Sequence, residues 1–109
     1  MTTTPPPMQV EQMALDSLVP DPANPRTHDE RNLGAIMASL KEHGQVEPLL
    51  VQASTGMVIA GNGRREAMQR LGWTEASVAL LDVDDTQARR LSIALNRSGE
   101  LAGWDEHTL

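Results

Sequence analysis

Apolar side chains recur at helical spacing in one stretch of the chain. Leu33, Ile36, Met37 and Leu40 stand at i, i+3, i+4 and i+7, which predicts a single buried stripe on an amphipathic helix. Thr27 and Glu30 have the spacing of a capping box at its start, and Gly44 stands where a helix closes. Pro48 then opens the apolar run Leu49-Leu50-Val51. Ser54-Thr55-Gly56 turns the chain into a second run, Met57 to Ala60. Two short apolar runs about a turn predict a hairpin. A glycine-flanked loop, Gly61-Asn62-Gly63, leads into a helix from Arg64 to Leu71, stopped by Gly72.

The outer elements follow the same logic. Val10 to Leu15 reads as a first strand and Ser77 to Val83 as a last one. Asp84 or Asp85 caps a third helix running to about Asn96. Prolines 20, 22 and 25 forbid regular pairing between the first strand and the first helix. The predicted order is β–α–β–β–α–β–α, an α/β fold with a small mixed sheet and three to four helices. Residues 1–7, rich in threonine and proline, read as a disordered leader, and 8–109 as one domain. Trp104-Asp105-Glu106 has the pattern of a new helix start, truncated at Leu109. The chain therefore reads as the N-terminal part of a longer protein.

Composition narrows the chemistry. With no cysteine, the 109 residues offer no thiolate zinc site, disulfide or cysteine nucleophile. No run of apolar residues is long enough for a membrane span, and no secretory signal opens the chain, so a cytoplasmic location is expected. Fifteen acidic residues against nine basic ones give a net charge of -6, which disfavours autonomous grip on duplex DNA. Trp73 and Trp104 are the whole aromatic complement, too few for a base-stacking platform. His28, His43 and His107 fall in different elements, so no histidine-based metal site is expected. Asp82, Asp84 and Asp85 are explained by helix capping without a bound cation.

One segment carries more information than the rest. In Gly61-Asn62-Gly63-Arg64-Arg65 a strand ends, glycines permit close backbone approach, and a helix begins with its amides unpaired. Such a terminus attracts anions. Arginines in a first helical turn oppose the helix dipole, a misfit that a bound phosphate would relieve; a turn whose arginines pair with carboxylates is the plainer alternative. Arg26, on the rigid Asn24-Pro25-Arg26 loop, and Asn96-Arg97, at the end of the third helix, are further forked or amide groups. Taken alone they read as a solvated turn and a helix C-terminus.

In order along the chain these pieces resemble the ParB N-terminal domain family, of ParB/sulfiredoxin-like fold. Leu18 to Arg26 is similar to that family's first box. Leu33 to Gly44 with Gln45-Val46-Glu47-Pro48-Leu49-Leu50-Val51 resembles its helix, glycine and Gln-Pro strand segment. Gly61 to Ala67 resembles the Gly-Glu-Arg-Arg box, and Leu95-Asn96-Arg97 a shortened Glu-Asn-Leu-Gln-Arg box. The tail from Glu100 to Glu106 looks like ParB-like domains of phages and of DNA-methyltransferase fusions.

The resemblance implies a nucleoside triphosphate, CTP or ATP, with Mg2+ as its companion ion. Gly61, Asn62, Gly63, Arg64 and Arg65 would cradle phosphates, Arg26 would reach them from the first box, and Asn96 with Arg97 would close the site. It also implies homodimerisation on nucleotide binding, and DNA contact only through a downstream domain or a partner. Sulfiredoxin chemistry is excluded because its cysteine has no counterpart. Three departures matter. Glu47 replaces a usual glutamine, Asn62-Gly63 replace the glutamate position and its surroundings, and Leu95 replaces an acid that helps hold magnesium. Glu47 is then the one acid available for a catalytic role, and its charge would oppose a triphosphate. Whether the chain is an enzyme is left open: the expectation is slow or absent turnover, at most a weak NTPase. The rival functions are a metal-dependent ParB-like nuclease and a protein-interaction domain with a vestigial pocket.

Overall fold

The computed structural model describes residues 8–22 and 30–95. In chain order these are β1 (Gln9–Ala14), a 3-10 turn (Leu15–Ser17), α1 (Glu30–His43), β2 (Leu49–Gln52), β3 (Val58–Ala60), α2 (Asn62–Arg70), β4 (Glu75–Leu81) and a helix α3 over 85–95. The expected order is the observed one. No helix among the described residues is long and apolar enough to cross a membrane.

The sheet is mixed, in the order β1-β4-β2-β3. β1 runs antiparallel to β4, β4 parallel to β2, and β2 antiparallel to β3. Its registers place Met13 opposite Ala76, Leu49 opposite Val78, and Val51 opposite Leu80. Because alternate strand residues share a face, these six lie on one side. They pack there with Leu33 and Leu40 of α1 and with Ala67 and Met68 of α2. The predicted stripe on α1 is this contact, with Leu33 and Leu40 buried and Ile36 and Met37 partly so. Gly44 closes α1 with φ 74° and its N–H on the Leu40 carbonyl at 2.8 Å, a backbone state that glycine adopts without steric cost.

The opposite face carries Leu50, Gln52 and Ala79. Gln52, only 2% exposed, secures the start of α3. Its Nε2 donates to the Val83 carbonyl and to Asp85 Oδ1, each at 3.0 Å, while its Oε1 accepts from Thr55 Oγ1 at 2.6 Å. Asp84 is the N-cap, its Oδ1 accepting from the Gln87 N–H at 2.8 Å. Ala88 and Ser92 are the buried positions of α3.

Several boundaries differ from the sequence reading; besides shifts of one residue, three have a physical reason. β4 occupies 75–81 rather than 77–83, because its pairing with β1 begins at Glu75 opposite Ala14 and the chain leaves the sheet after Leu81. Leu15 belongs to the 3-10 turn, although its N–H still bonds to Thr74 at 2.9 Å. Asn62 and Gly63 lie inside α2 rather than in a loop before it. The Thr27 cap, the 1–7 leader and the Trp104 helix start fall outside the described residues.

Candidate functional site

The site grows from the turn between β3 and α2. Gly61 has φ 104° and ψ 19°, a left-handed conformation that side chains resist. A Cβ there would stand 2.6 Å from Leu49 Cδ2 and 3.2 Å from Arg64 Nη2. The sharp reversal lets α2 begin at once, so Asn62, Gly63 and Arg64 supply its leading amides. Among the described residues no side chain caps this terminus, and its first turn contains no acid. Within its own first turn, α2 thus has nothing to offset the positive end of the helix dipole.

Asn62 ties that terminus to the rest of the fold. Its Nδ2 donates to the Val58 carbonyl at 3.2 Å, and its Oδ1 accepts from the Asp21 N–H at 3.3 Å. The loop bearing Asp21 is itself held along β3, with Val19 N–H on Gly56 at 2.9 Å and Val58 N–H on Val19 at 2.8 Å. From the other side Ser92 Oγ of α3 donates to Asp21 Oδ2 at 2.8 Å. The first-box loop, α2 and α3 thus meet around one aspartate.

The two arginines differ. Arg65 Nη1 donates to Gln69 Oε1 at 2.8 Å, while its buried Nε has no hydrogen-bond partner among the described residues. A buried guanidinium nitrogen left unsatisfied is a cost that a native site rarely carries without purpose. Arg64 reaches back toward β2. Its Nη1 donates to the Glu47 carbonyl at 3.0 Å and lies 3.8 Å from Glu47 Oε2.

The Glu47 segment is fixed by Gln45, whose side chain pairs with β4 as a strand backbone would. Gln45 Oε1 accepts from the Ser77 N–H and Nε2 donates to the Ser77 carbonyl, both at 2.8 Å, and Nε2 also reaches the Glu47 carbonyl at 3.0 Å. Between this segment and α1 lies a cavity of about 290 Å³, lined by Ile36, Ser39, Leu40, the residues from Gly44 to Glu47, and Arg64. Arg64 thus belongs both to the anion-attracting terminus and to a largely apolar cavity.

Of the residues singled out in the sequence, Gly61, Asn62, Gly63, Arg64, Arg65 and Glu47 are brought together. Arg26, Asn96 and Arg97 lie outside the described residues. Asp21 and Ser92 were not anticipated, since an aspartate in a proline loop and a serine in a helix carry no local signal. The described residues contain no group of three or more His, Cys, Asp or Glu side chains placed to hold a metal ion.

A mixed four-stranded sheet with this glycine turn and arginine pair defines a ParB/sulfiredoxin-like domain, and comparison with known proteins gives the family. The ParB N-terminal domain model matches residues 2–97, and the chain belongs to that family. It is 28% identical over 96 residues to the nucleoid occlusion protein of Geobacillus thermodenitrificans, covering 84% of this chain and 34% of that protein. It is 30% identical over 91 residues to the probable chromosome-partitioning protein ParB of Campylobacter jejuni, covering 81% and 33%. The chain spans about a third of the length of the curated relatives it matches. Among solved structures, the C-terminally truncated chromosome-partitioning protein ParB from Caulobacter crescentus, complexed with CTP-gamma-S, aligns with a TM-score of 0.73 at 28% identity, covering 81% of this chain and 52% of that one. Sulfiredoxin from Arabidopsis thaliana aligns at 0.66 and 20% identity, covering 76% and 96%, and shares the fold.

Proposed function

We propose that this chain is a nucleotide-binding module that takes a nucleoside triphosphate, CTP in preference to ATP, with its phosphates on the N-terminus of α2. The observation that carries the reading is the uncapped, acid-free helix terminus turned by Gly61 and flanked by Arg64 and Arg65. Exposed amides and forked guanidinium groups are the ordinary chemistry of phosphate capture. The Caulobacter relative bound to CTP-gamma-S supports the choice of nucleotide.

The residues fit such a ligand. A Cβ on Gly61 would crowd this turn, and Arg65 Nε is a buried donor without an acceptor among the described residues. The cavity of about 290 Å³ beside Arg64 is near the lower end of small-molecule sites, about 300 Å³, and suits the base. Arg26, Asn96 and Arg97 complete the phosphate cradle in this reading. Magnesium would arrive on the phosphates, since the described side chains offer it no three-acid cluster; its chemistry there is charge neutralisation. DNA is then engaged by a downstream segment or partner, and nucleotide favours the pairing of two copies.

Calorimetric titration with CTP, ATP, GTP and UTP in magnesium tests the reading. Saturable binding led by CTP is expected. No heat with any of the four, together with tight association to a protein partner, would favour an interaction domain instead.

A further inference from the structure

Glu47 is the residue whose position the nucleotide reading leaves unexplained. It sits at the mouth of the cavity with its side chain 74% exposed, and its carboxylate lies 3.8 Å from the Arg64 guanidinium. Arg64 is the better buried partner, its side chain 28% exposed and its Nη1 already fixed on the Glu47 carbonyl at 3.0 Å. The anchor is thus the main chain of Glu47, and the carboxylate is an additional, loosely held charge on the same guanidinium.

We infer that Glu47 is a built-in counter-anion of the phosphate site, competing with the ligand for Arg64 and selecting nucleotide whose charge is already partly cancelled by a divalent cation. The inference rests on the nucleotide reading and deepens it. A phosphate approaching Arg64 meets the Glu47 carboxylate on the same guanidinium. Two unit charges about 4 Å apart in water interact by an amount that corresponds to about fivefold in affinity, an upper bound for an exposed carboxylate. Free triphosphate carries more charge than its magnesium complex and is opposed more strongly. The main-chain bond from Arg64 to the Glu47 carbonyl survives any change of side chain, so the guanidinium stays in place when the carboxylate is removed.

The test compares the parent with Glu47→Gln and Glu47→Ala, titrated with CTP at about 0.05 M and about 0.5 M salt, with magnesium and with EDTA. Screening contracts the reach of exposed charges as salt rises. Both variants are expected to bind CTP tighter at low salt, by up to about fivefold. The gain should be larger in EDTA than in magnesium and fall toward unity at high salt. Unchanged circular dichroism and melting would show that the fold is intact. If the parent binds CTP and the variants bind no tighter, or gain equally at every salt, the counter-anion role is wrong while the nucleotide reading stands. If neither parent nor variants bind any nucleotide, both fall together.

Discussion

Ser92 and Asp21, 71 residues apart in sequence, are joined by a hydrogen bond of 2.8 Å from the serine hydroxyl to the carboxylate. Asp21 also donates its backbone N–H to Asn62 at the start of α2. One residue in a proline-rich loop therefore ties α2 to α3. Ser92 is 4% exposed, so its hydroxyl has little access to water once this bond is lost. Hydrogen bonds to charged groups contribute about 1.5–3 kcal/mol. Ser92→Ala is expected to lower stability within that range in urea unfolding. A cycle with Asp21→Ala should show coupling of at least about 0.5 kcal/mol. Strictly additive effects would mean that the two do not act as a pair.

Gly61 and Gly34 should respond oppositely to alanine. At Gly61 the left-handed backbone costs a side chain about 1–2 kcal/mol, and the contact of 2.6 Å with Leu49 Cδ2 adds overlap, which in packed cores costs about 1–3 kcal/mol. Gly61→Ala is expected to destabilise by about 2–4 kcal/mol. Gly34 lies within α1 with nothing within 4 Å of its would-be Cβ, so Gly34→Ala should stabilise by about 0.5–1 kcal/mol. Denaturant midpoints of the two variants check both signs.

Gln52 is the buried polar residue on which the start of α3 depends. Its amide serves Val83, Asp85 and Thr55 at once. Gln52→Leu keeps bulk but strands those partners, at about 1–3 kcal/mol for a buried unsatisfied group. Hydrogen exchange should show faster opening of residues 85–95 in this variant than in the parent, with β2 and β4 less affected.

The local features of this fold were legible in sequence, and the long-range ones were not. The stripe from Leu33 to Leu40, the closing glycine at 44 and the hairpin about Gly56 follow from neighbours a few residues apart. The phosphate-like turn at Gly61–Arg65 was visible because glycines and arginines state their chemistry locally. The start of α2 at Asn62 was missed because φ of Gly61, not residue type, decides it. Gln45 pairing with Ser77 and the meeting of Asp21, Asn62 and Ser92 depend on sheet order and chain crossing, which no local pattern encodes. Glu47 was read as an acid available for catalysis; its contact with Arg64 emerged only from the packing of β2 against α2.

Turnover is the property in which this chain is expected to differ from a competent phosphohydrolase. Phosphoryl transfer requires stabilisation of charge on the transferred group, usually by arginine with a metal held by oxygen ligands. Leu95, in α3 and 37% exposed, supplies no such ligand. Phosphate release from CTP is expected to be slow or absent in the parent. Magnesium-dependent multiple turnover that Glu47→Ala abolishes would instead make Glu47 the catalytic acid.

Whether the N-terminus of α2 holds the phosphates of a nucleotide is decided by calorimetric titration of CTP in magnesium against the parent and an Arg64→Ala/Arg65→Ala double variant. Both arginines lie in the first turn of α2 and both are partly exposed, so the fold should survive, as circular dichroism can verify. Saturable binding by the parent is expected, with a loss of at least about tenfold, or about 1.4 kcal/mol, in the folded double variant. A folded double variant that binds CTP as tightly as the parent would contradict phosphate binding there.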